Sequence, residues 1–596
     1  MELPGLTRNA TLLALTATAL LLAGAPQAGA ATTAGRTPTS ARTGGSATTA
    51  DPNTPVLVTD QNTPPKGYRL TAVKVEKIAA RDPVIRAELR RHPRATPYEY
   101  TKGPGRWQVS WFSKSKHQVE LAQVYVDDGT GKVTEAWTGF QVAWSMARGY
   151  SGAFGRRVNA LYVWIPLCVL FLAPFVPWPR LRRRGPGWRG PGWSLLQLDL
   201  LVLLGFSISL ALFNHGTIGL STPLVYPCLL YLLARMLLLA FGRGRPRRPL
   251  RLAVPASWLA VAVLFLVGFR VGLNVTNSNV IDVGYAGVIG ADKLVHGQNL
   301  YGHWPKDNGS GDTYGPVAYY AYVPFRAVFG WSGTWDDLPA SHAAAIAFDL
   351  LTMLGLFLLG RRVRGPTLGI VLAYAWAAYP FTLWSLSSNT NDTLVGMLLV
   401  YALLAITSAT GRGVLAALAG LTKFVPLALG PLFLRGRGPS WPRPRAVALY
   451  VLAYGLTLVV AMLPVLLDHN LHAFWHDTFV YQSNRITPFS IWGLWGGLSV
   501  EQHIVQGAAI ALAVAVAFVP RDRTVVEVAA LGAAVIIAIQ LAAGYWLYSY
   551  IVWFYPLVAI VLFAMFPARE PEPIIEPETP APEPVRSPSP ALAPQL

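Results

Sequence analysis

From residue 158 to residue 566 the chain alternates long apolar stretches with short basic connections. Stretches of membrane-spanning length lie near 158–178, 193–213, 220–241, 253–275, 343–360, 366–386, 393–408, 446–466, 503–519, 524–546 and 549–566, about eleven in all. The connections 180–189 (RLRRRGPGWR), 243–251 (RGRPRRPLR), 361–364, 435–445 and 521–523 all fall on one side if the stretches simply alternate, and their Arg content marks that side as cytoplasmic. One apolar stretch, 414–434 (VLAALAGLTKFVPLALGPLFL), breaks the alternation because Arg412 precedes it and Arg435 and Arg437 follow it. With Lys423, Pro426 and Pro431 inside, it is expected to be a re-entrant pair of half-helices, since broken backbone at membrane depth must be buried in protein or line a cavity.

The pattern changes before residue 158. Residues 1–30 read as a secretory signal, with an apolar core at 10–23 and Ala28-Gly29-Ala30 as a small-residue cleavage site. Residues 31–64 form a polar tether too low in complexity to pack. In 65–157 the run KVEKIAARDPVIRAELRRHP predicts a helix that Asp82-Pro83 divides. Strands are expected at Trp107–Phe112, Val119–Val126 and Val133–Trp137, the last two joined through the turn Asp127-Asp128-Gly129-Thr130-Gly131. A helix on a small antiparallel sheet follows, exported by the signal. This order of helix, strand, D-x-x-T-G-like turn and strand resembles the PepSY-type fold; it brings no chemistry and leaves a structural or regulatory role and ligand binding both open. Residues 568–596, rich in Pro and Glu, are expected to be a disordered cytoplasmic tail.

Composition agrees with a lipid environment: 53% of residues are hydrophobic and 13% charged, and the mean hydropathy is +0.38. The net charge of +19 sits in clusters between apolar stretches, which makes it a topology signal rather than a nucleic-acid surface. The two cysteines, Cys168 and Cys228, lie in or beside apolar stretches and provide neither a disulfide framework nor a thiolate cluster. The fold class expected is an all-α polytopic membrane protein, about eleven transmembrane helices plus a re-entrant hairpin, with a small α+β extracytoplasmic N-terminal domain.

Candidate chemistry concentrates in the long loop after the fourth stretch. Asp282 opens the run IDVGYAGVIGADKLVHGQNLY a few residues past a membrane exit. It reads either as the N-cap of an interfacial helix or as a working carboxylate. Its company includes Tyr285, Gly297 and Tyr301, then Asp312-Thr313-Tyr314-Gly315-Pro316 and the aromatic run to Pro324. Asp312 lies in a Gly-rich stretch where Asp is also a turn former. His296, His303, His469, His472 and His476 share the same side but match no tight ligand spacing, so no metal is assigned. The many Trp and Tyr at that side fit an interfacial belt, with a few left to stack on a ligand.

The order D-x-x-Y, L-x-x-G-x-x-L-Y and Y-x-P before an aromatic run resembles the first extracytoplasmic loop of GT-C superfamily glycosyltransferases, and looks most like glycosyltransferase family 87. That family includes polyprenyl-phosphate-mannose-dependent mannosyltransferases and arabinofuranosyltransferases. Downstream, Asn391-Asp392 resembles the family's Q-N-D, Leu421–Pro426 (LTKFVP) its L-x-K-x-x-P, and Tyr481–Trp492 (YQSNRITPFSIW) its Q-x-x-R-x-x-P-x-S-x-W loop. The likeness covers 253–567, the expected catalytic module; the additional helices at 158–252 and the exported domain stand outside it. Two positions depart from the pattern: Gly315 where Y-P-P is common, and Thr390 where Gln is common.

The resemblance implies sugar transfer, most readily of mannose, from a polyprenyl-phosphate donor to an envelope lipid or glycan acceptor, at the extracytoplasmic face of the plasma membrane and with inversion. Such chemistry needs a base for the acceptor hydroxyl and cations for the departing phosphate. Asp282 is the implied base. Arg485, Lys423 and Arg270 are the implied phosphate-binding cations, with snorkelling to the cytoplasmic edge open for Lys423 and structural pairing open for Arg270. Tyr285, Tyr301, Asp312, Tyr314, Gln482, Asn391, Asp392 and Trp492 are the implied substrate-binding residues. No cofactor is implied; a divalent metal is left open but not indicated. The alternative reading is a polytopic lipid or glycan transporter, whose inverted repeats are not seen in the sequence; a receptor that merely anchors its exported domain would need a single span.

Overall fold

The computed structural model describes residues 55–115, 118–149, 154–176, 194–483, 485 and 487–567. The expected signal (1–30), most of the tether, the Arg-rich connection 180–189 and the tail 568–596 lie outside the described residues.

The N-terminal region is a five-stranded antiparallel meander, β1 (Val56–Leu57), β2 (Thr96–Thr101), β3 (Arg106–Phe112), β4 (Glu120–Asp127) and β5 (Val133–Thr138), paired in chain order. Two helices, α1 (Ala72–Ala79) and α2 (Pro83–Arg91), cover one face, where strand alternation places Trp107, Val109, Trp111, Ala122, Val124 and Val126. The break between them falls at Asp82-Pro83 as the sequence predicts. The Asp82 carboxylate accepts from the amides of Val84 (2.9 Å) and Ile85 (3.4 Å), and Pro83, lacking a donor, takes the first helical turn. β1 and β2 are strands that the sequence pattern does not reveal. β1 also corrects the tether boundary: Val56 and Leu57 pair with Thr101 and Tyr100, so the sheet begins inside the expected 31–64 tether. A two-residue edge strand has no period to read.

The rest is helical: α3 (Leu161–Leu172), α4 (Leu195–Asn214), α5 (Ile218–Ala240), α6 (Ala256–Asn277), α7 (Asp282–Val295), α8 (Pro339–Arg364), α9 (Pro366–Ala378), α10 (Pro380–Ser387), α11 (Asp392–Leu404), α12 (Ala409–Thr422), α13 (Gly430–Arg435), α14 (Pro444–Leu467), α15 (Ser499–Ala515), α16 (Val525–Ala542) and α17 (Ile551–Ala564), with shorter turns of helix between. Among the described residues six helices, α4, α5, α6, α8, α14 and α16, are long and apolar enough to cross a membrane. α9 and α10, bent by 57°, make a seventh if taken as one broken span. The count by helix length is therefore lower than the eleven apolar stretches. The reason is local: α11 starts at a buried turn at Asn391 and α17 follows the turn Tyr548–Tyr550, so a full-length apolar stretch yields only 13 or 14 residues of helix.

Contacts sort the connections onto two ends of the bundle. At one end Arg245 pairs with Glu527, Arg364 donates to Ala564 O, Arg435 donates to Arg521 O (2.6 Å) and Gly438 N–H to Arg523 O (2.9 Å). At the other end Gly155 N–H donates to Asn279 Oδ1 (2.6 Å), Asn279 N–H to Ser387 O (3.1 Å) and Thr487 N–H to Gly544 O (3.2 Å).

The stretch 414–434 is a hairpin, as expected. α12 stops at Lys423, whose backbone is extended (φ −140°, ψ 132°), and the chain returns through the 3-10 turn Val425–Leu429 and α13. Buried Arg412 joins the two legs at the basic end, donating to Phe433 O (2.7 Å), Leu434 O (3.4 Å) and Ile406 O (3.0 Å). Lys423 is thus at the tip, at the far end of the hairpin from Arg412, and does not reach back to the basic end.

Candidate functional site

α7 is held at short range because three glycines one turn apart share a face. A Cβ on Gly284 would lie 2.2 Å from Asn389 O, one on Gly287 2.7 Å from the Tyr322 ring and one on Gly290 2.2 Å from the Tyr319 ring. The chain entering α7 is tied to the turn before α11: Ile281 N–H donates to Ser388 O (3.3 Å), and the Asn389 amide donates to Asn279 O and Ser278 Oγ (both 3.0 Å). Asn389 takes a left-handed backbone (φ 51°), which Asn tolerates better than most residues. These ties fix where Asp282 starts the helix.

No side chain caps α7, so the N-cap reading of Asp282 is corrected: Ile281 occupies that position and Asp282 is the first helical residue. Val283 to Ala291 are all buried, whereas Asp282 is exposed to water. Protein nonetheless surrounds it, and the charges of Arg485, Lys423 and Asp392 all act on its carboxylate. Water contact within enclosing protein means that Asp282 lines a hollow. Desolvation raises its pKa above the usual carboxylate range, while Arg485 and then Lys423 oppose the rise.

The floor of the hollow comes from the hairpin tip. Lys423 Nζ lies 3.3 Å from Asp392 Oδ1 and 4.1 Å from the centroid of the Tyr314 ring. Trp553 donates its indole N–H to the same Asp392 oxygen (2.8 Å), and Thr390 Oγ1 accepts the Asp392 N–H (3.3 Å). Asp392 Oδ2 and both polar atoms of the Asn391 side chain are buried without a protein partner. Tyr314 reaches Lys423 because Gly315 packs on the end of α12: a Cβ there would meet Leu421 O at 1.9 Å, and the Gly315 N–H donates to Thr422 O (3.4 Å). A proline, as in Y-P-P, has neither that donor nor that slimness.

Arg485 is the charge that acts most strongly on Asp282. Its guanidinium sits 4.0 Å from the Tyr545 ring centroid, 5.8 Å from Tyr481 and 5.9 Å from Trp144. Its Nε is buried with no hydrogen-bond partner, and among the described residues no carboxylate lies within ion-pair distance of it. A desolvated cation held only by ring faces is poised for an anion. Gly544 lets the loop close, since a Cβ there would lie 2.8 Å from Arg485 O. Gly544 O also accepts from Thr487 Oγ1 (3.1 Å) and Ser490 Oγ (2.9 Å).

The structure therefore brings Asp282, Lys423, Arg485, Asp392 and Tyr314 together from five separate segments. It sets others of the expected residues aside. Arg270 is fully buried, paired with Asp349 (2.5 Å) and donating to Ala377 O (3.0 Å) and Thr382 Oγ1 (3.1 Å), so its charge is already matched inside the protein and no face of it is open to a phosphate. Tyr285 is buried against Trp335 (centroids 4.9 Å apart) with its hydroxyl on Asp307 (3.3 Å). Tyr301 donates to Tyr314 O (2.8 Å) and so supports a site residue rather than lining the hollow itself. Asp312 is buried, accepts the Gly302 N–H (3.0 Å), and is pushed up to about 6 by burial and by Asp477 nearby. Trp492 gives its indole N–H to Leu541 O (2.9 Å), and Gln482 is exposed on the Arg485 loop. Among the described residues no group of three or more His, Cys, Asp or Glu is placed to hold a metal ion.

Sequence reasoning does not find Trp144 or Trp553, has Tyr481 only as the first residue of the YQSNRITPFSIW run, and counts Tyr545 with the interfacial belt. Nothing in their spacing separates them from the other aromatics of that end; only the tertiary approach to Arg485 and Lys423 does. Compared with models of protein families, with curated proteins and with solved structures, the chain matches none.

Proposed function

We propose that the protein is a GT-C-type membrane glycosyltransferase that moves a sugar, most readily mannose, from a polyprenyl-phosphate donor to an envelope lipid or glycan. The observation that carries this reading is the convergence of one water-facing carboxylate, Asp282, with an unpaired guanidinium, Arg485, and the hairpin-tip ammonium, Lys423, in one aromatic-walled hollow. Asp282 takes the proton of the acceptor hydroxyl as that oxygen attacks the anomeric carbon from the face opposite the phosphate. The bond to the phosphate oxygen breaks as the new one forms, which inverts the centre. Arg485 holds the leaving phosphate with two hydrogen bonds, and Lys423 adds charge while sharing Asp392. A raised pKa makes Asp282 a better proton acceptor than an Asp surrounded by bulk water.

In this reading the shorter apolar helices also cross the bilayer, since the connections at their ends join the same two ends as the long ones, giving eleven crossings and the re-entrant hairpin. The basic end faces the cytoplasm and the hollow opens on the extracytoplasmic face of the plasma membrane. The aromatic walls suit a sugar ring, and a lipid donor enters laterally from the membrane.

The test is sugar transfer in membranes given radiolabelled polyprenyl-phosphate mannose, wild type against Asp282→Asn at equal expression. The expected result is transfer by wild type and a loss of about 10²–10⁴-fold in the mutant. Transfer untouched by the substitution removes Asp282 from the mechanism, and transfer by neither removes this donor.

A further inference from the structure

The parts of the chain that lie outside the likeness to glycosyltransferases do not stand apart from the hollow. After β5 the exported region continues through the helical turn Phe140–Ala143 and the 3-10 turn Ser145–Arg148, and Trp144 between them reaches the Arg485 guanidinium at 5.9 Å. The Trp144 ring also meets Phe489, on the Arg485 loop, edge to face (centroids 6.0 Å apart). Two features fix this segment from opposite sides. Arg148 clamps it to the sheet, donating to Gln123 Oε1 on β4 (2.6 Å), Gln141 O (2.9 Å) and Val142 O (3.3 Å). Gly149 docks on the turn between α4 and α5, where its Cβ would lie 2.1 Å from Gly216 N.

The additional helices then hold the Arg485 loop itself: Thr222 Oγ1 donates to Pro488 O (3.0 Å), and the Tyr226 hydroxyl accepts the Ile491 N–H (3.1 Å). Exported sheet, added helices and Arg485 form one continuous set of contacts.

We infer that the exported domain completes the anion pocket, with Trp144 a positioning residue that holds the Arg485 guanidinium toward the hollow. The inference rests on the reading of Arg485 as the phosphate-binding cation. The physical argument is that a buried guanidinium without a carboxylate keeps its place only through ring faces and loop anchors. Tyr481 and Tyr545 belong to the membrane module; the third ring comes from the exported domain. Movement of that domain then alters phosphate affinity without touching Asp282.

The full-length protein in lipid nanodiscs is titrated with undecaprenyl monophosphate, read as the rise in unfolding temperature, for wild type, W144F, W144A, R148Q and R485Q. R485Q is expected to lose binding. W144A is expected to weaken it about tenfold, and W144F to stay within about threefold because the ring remains. R148Q, whose residue touches the sheet and its own segment but not the pocket, is expected to weaken binding as W144A does. Wild-type affinity in W144A together with loss in R485Q overturns the inference and leaves the anion pocket standing. Wild-type affinity in R485Q sinks the pocket itself. Should W144A fail to fold, R148Q decides: wild-type affinity there overturns the inference, and weakened affinity carries it.

Discussion

Asp282 and Asp312 are both carboxylates raised by burial, yet they predict opposite dependences on pH. As the proposed base, Asp282 would work only when ionised, so the proposed transfer is expected to fall as pH drops through its raised pKa. The acid limb of the kcat/KM profile is therefore expected above the ordinary carboxylate range near about 4. Asp312 affects stability instead. Its folded pKa of about 6 exceeds its unfolded value, so the stabilising contribution of its protonated form is complete at low pH and is lost as pH rises through about 6. Asp312→Asn keeps an acceptor for the Gly302 N–H and removes the charge facing Asp477. It is expected to raise the unfolding temperature at pH 7.5 and to leave it nearly unchanged at pH 4, measured in detergent. Gly315→Ala is expected to cost about 1–3 kcal/mol, because the Leu421 carbonyl is backbone and has little room to withdraw; loss of transfer should accompany it as Tyr314 leaves Lys423. Asp282 was legible in the sequence because a lone acid just past an apolar exit is unusual. Arg270 misled because its partner, Asp349, lies inside another apolar stretch whose charge reads as an interruption rather than as a match.

At the scale of elements, hydropathy found nearly every helix and the hairpin, because each depends on a local run of apolar side chains. It overstated their length where buried turns cut into the run, as at Asn391 and Tyr548–Tyr550. The hairpin owes its closed form to Arg412, a residue the sequence offered only as a flanking charge. Arg412→Met leaves the Phe433, Leu434 and Ile406 carbonyls without this donor. An unmet buried group costs about 1–3 kcal/mol, so thermal unfolding should register a loss of at least that size. Phosphate binding should weaken with it, since Lys423 rides on the tip. An unchanged unfolding temperature would show that the two legs are held together by packing alone.

For the whole molecule, the sorting of basic connections to one end makes a prediction about sidedness. Arg247→Cys and Lys306→Cys place thiols at exposed positions on opposite ends. A membrane-impermeant maleimide applied to intact cells is expected to label the second and spare the first, and equal labelling would overturn the orientation. The N-terminal domain was legible as a helix on a sheet, but its contact with the hollow was not, since Trp144 and Arg485 are separated by most of the chain. The glycines at 284, 315 and 544 carry a further consequence. Each sits where backbone meets backbone around the charged groups, and a side chain at any of them displaces a reacting or binding residue. In a saturation mutagenesis screen scored for activity, these three positions would be as intolerant as Asp282 or Arg485 while contributing no functional group, so a tolerance map of this protein outlines the shape of its hollow as much as its chemistry.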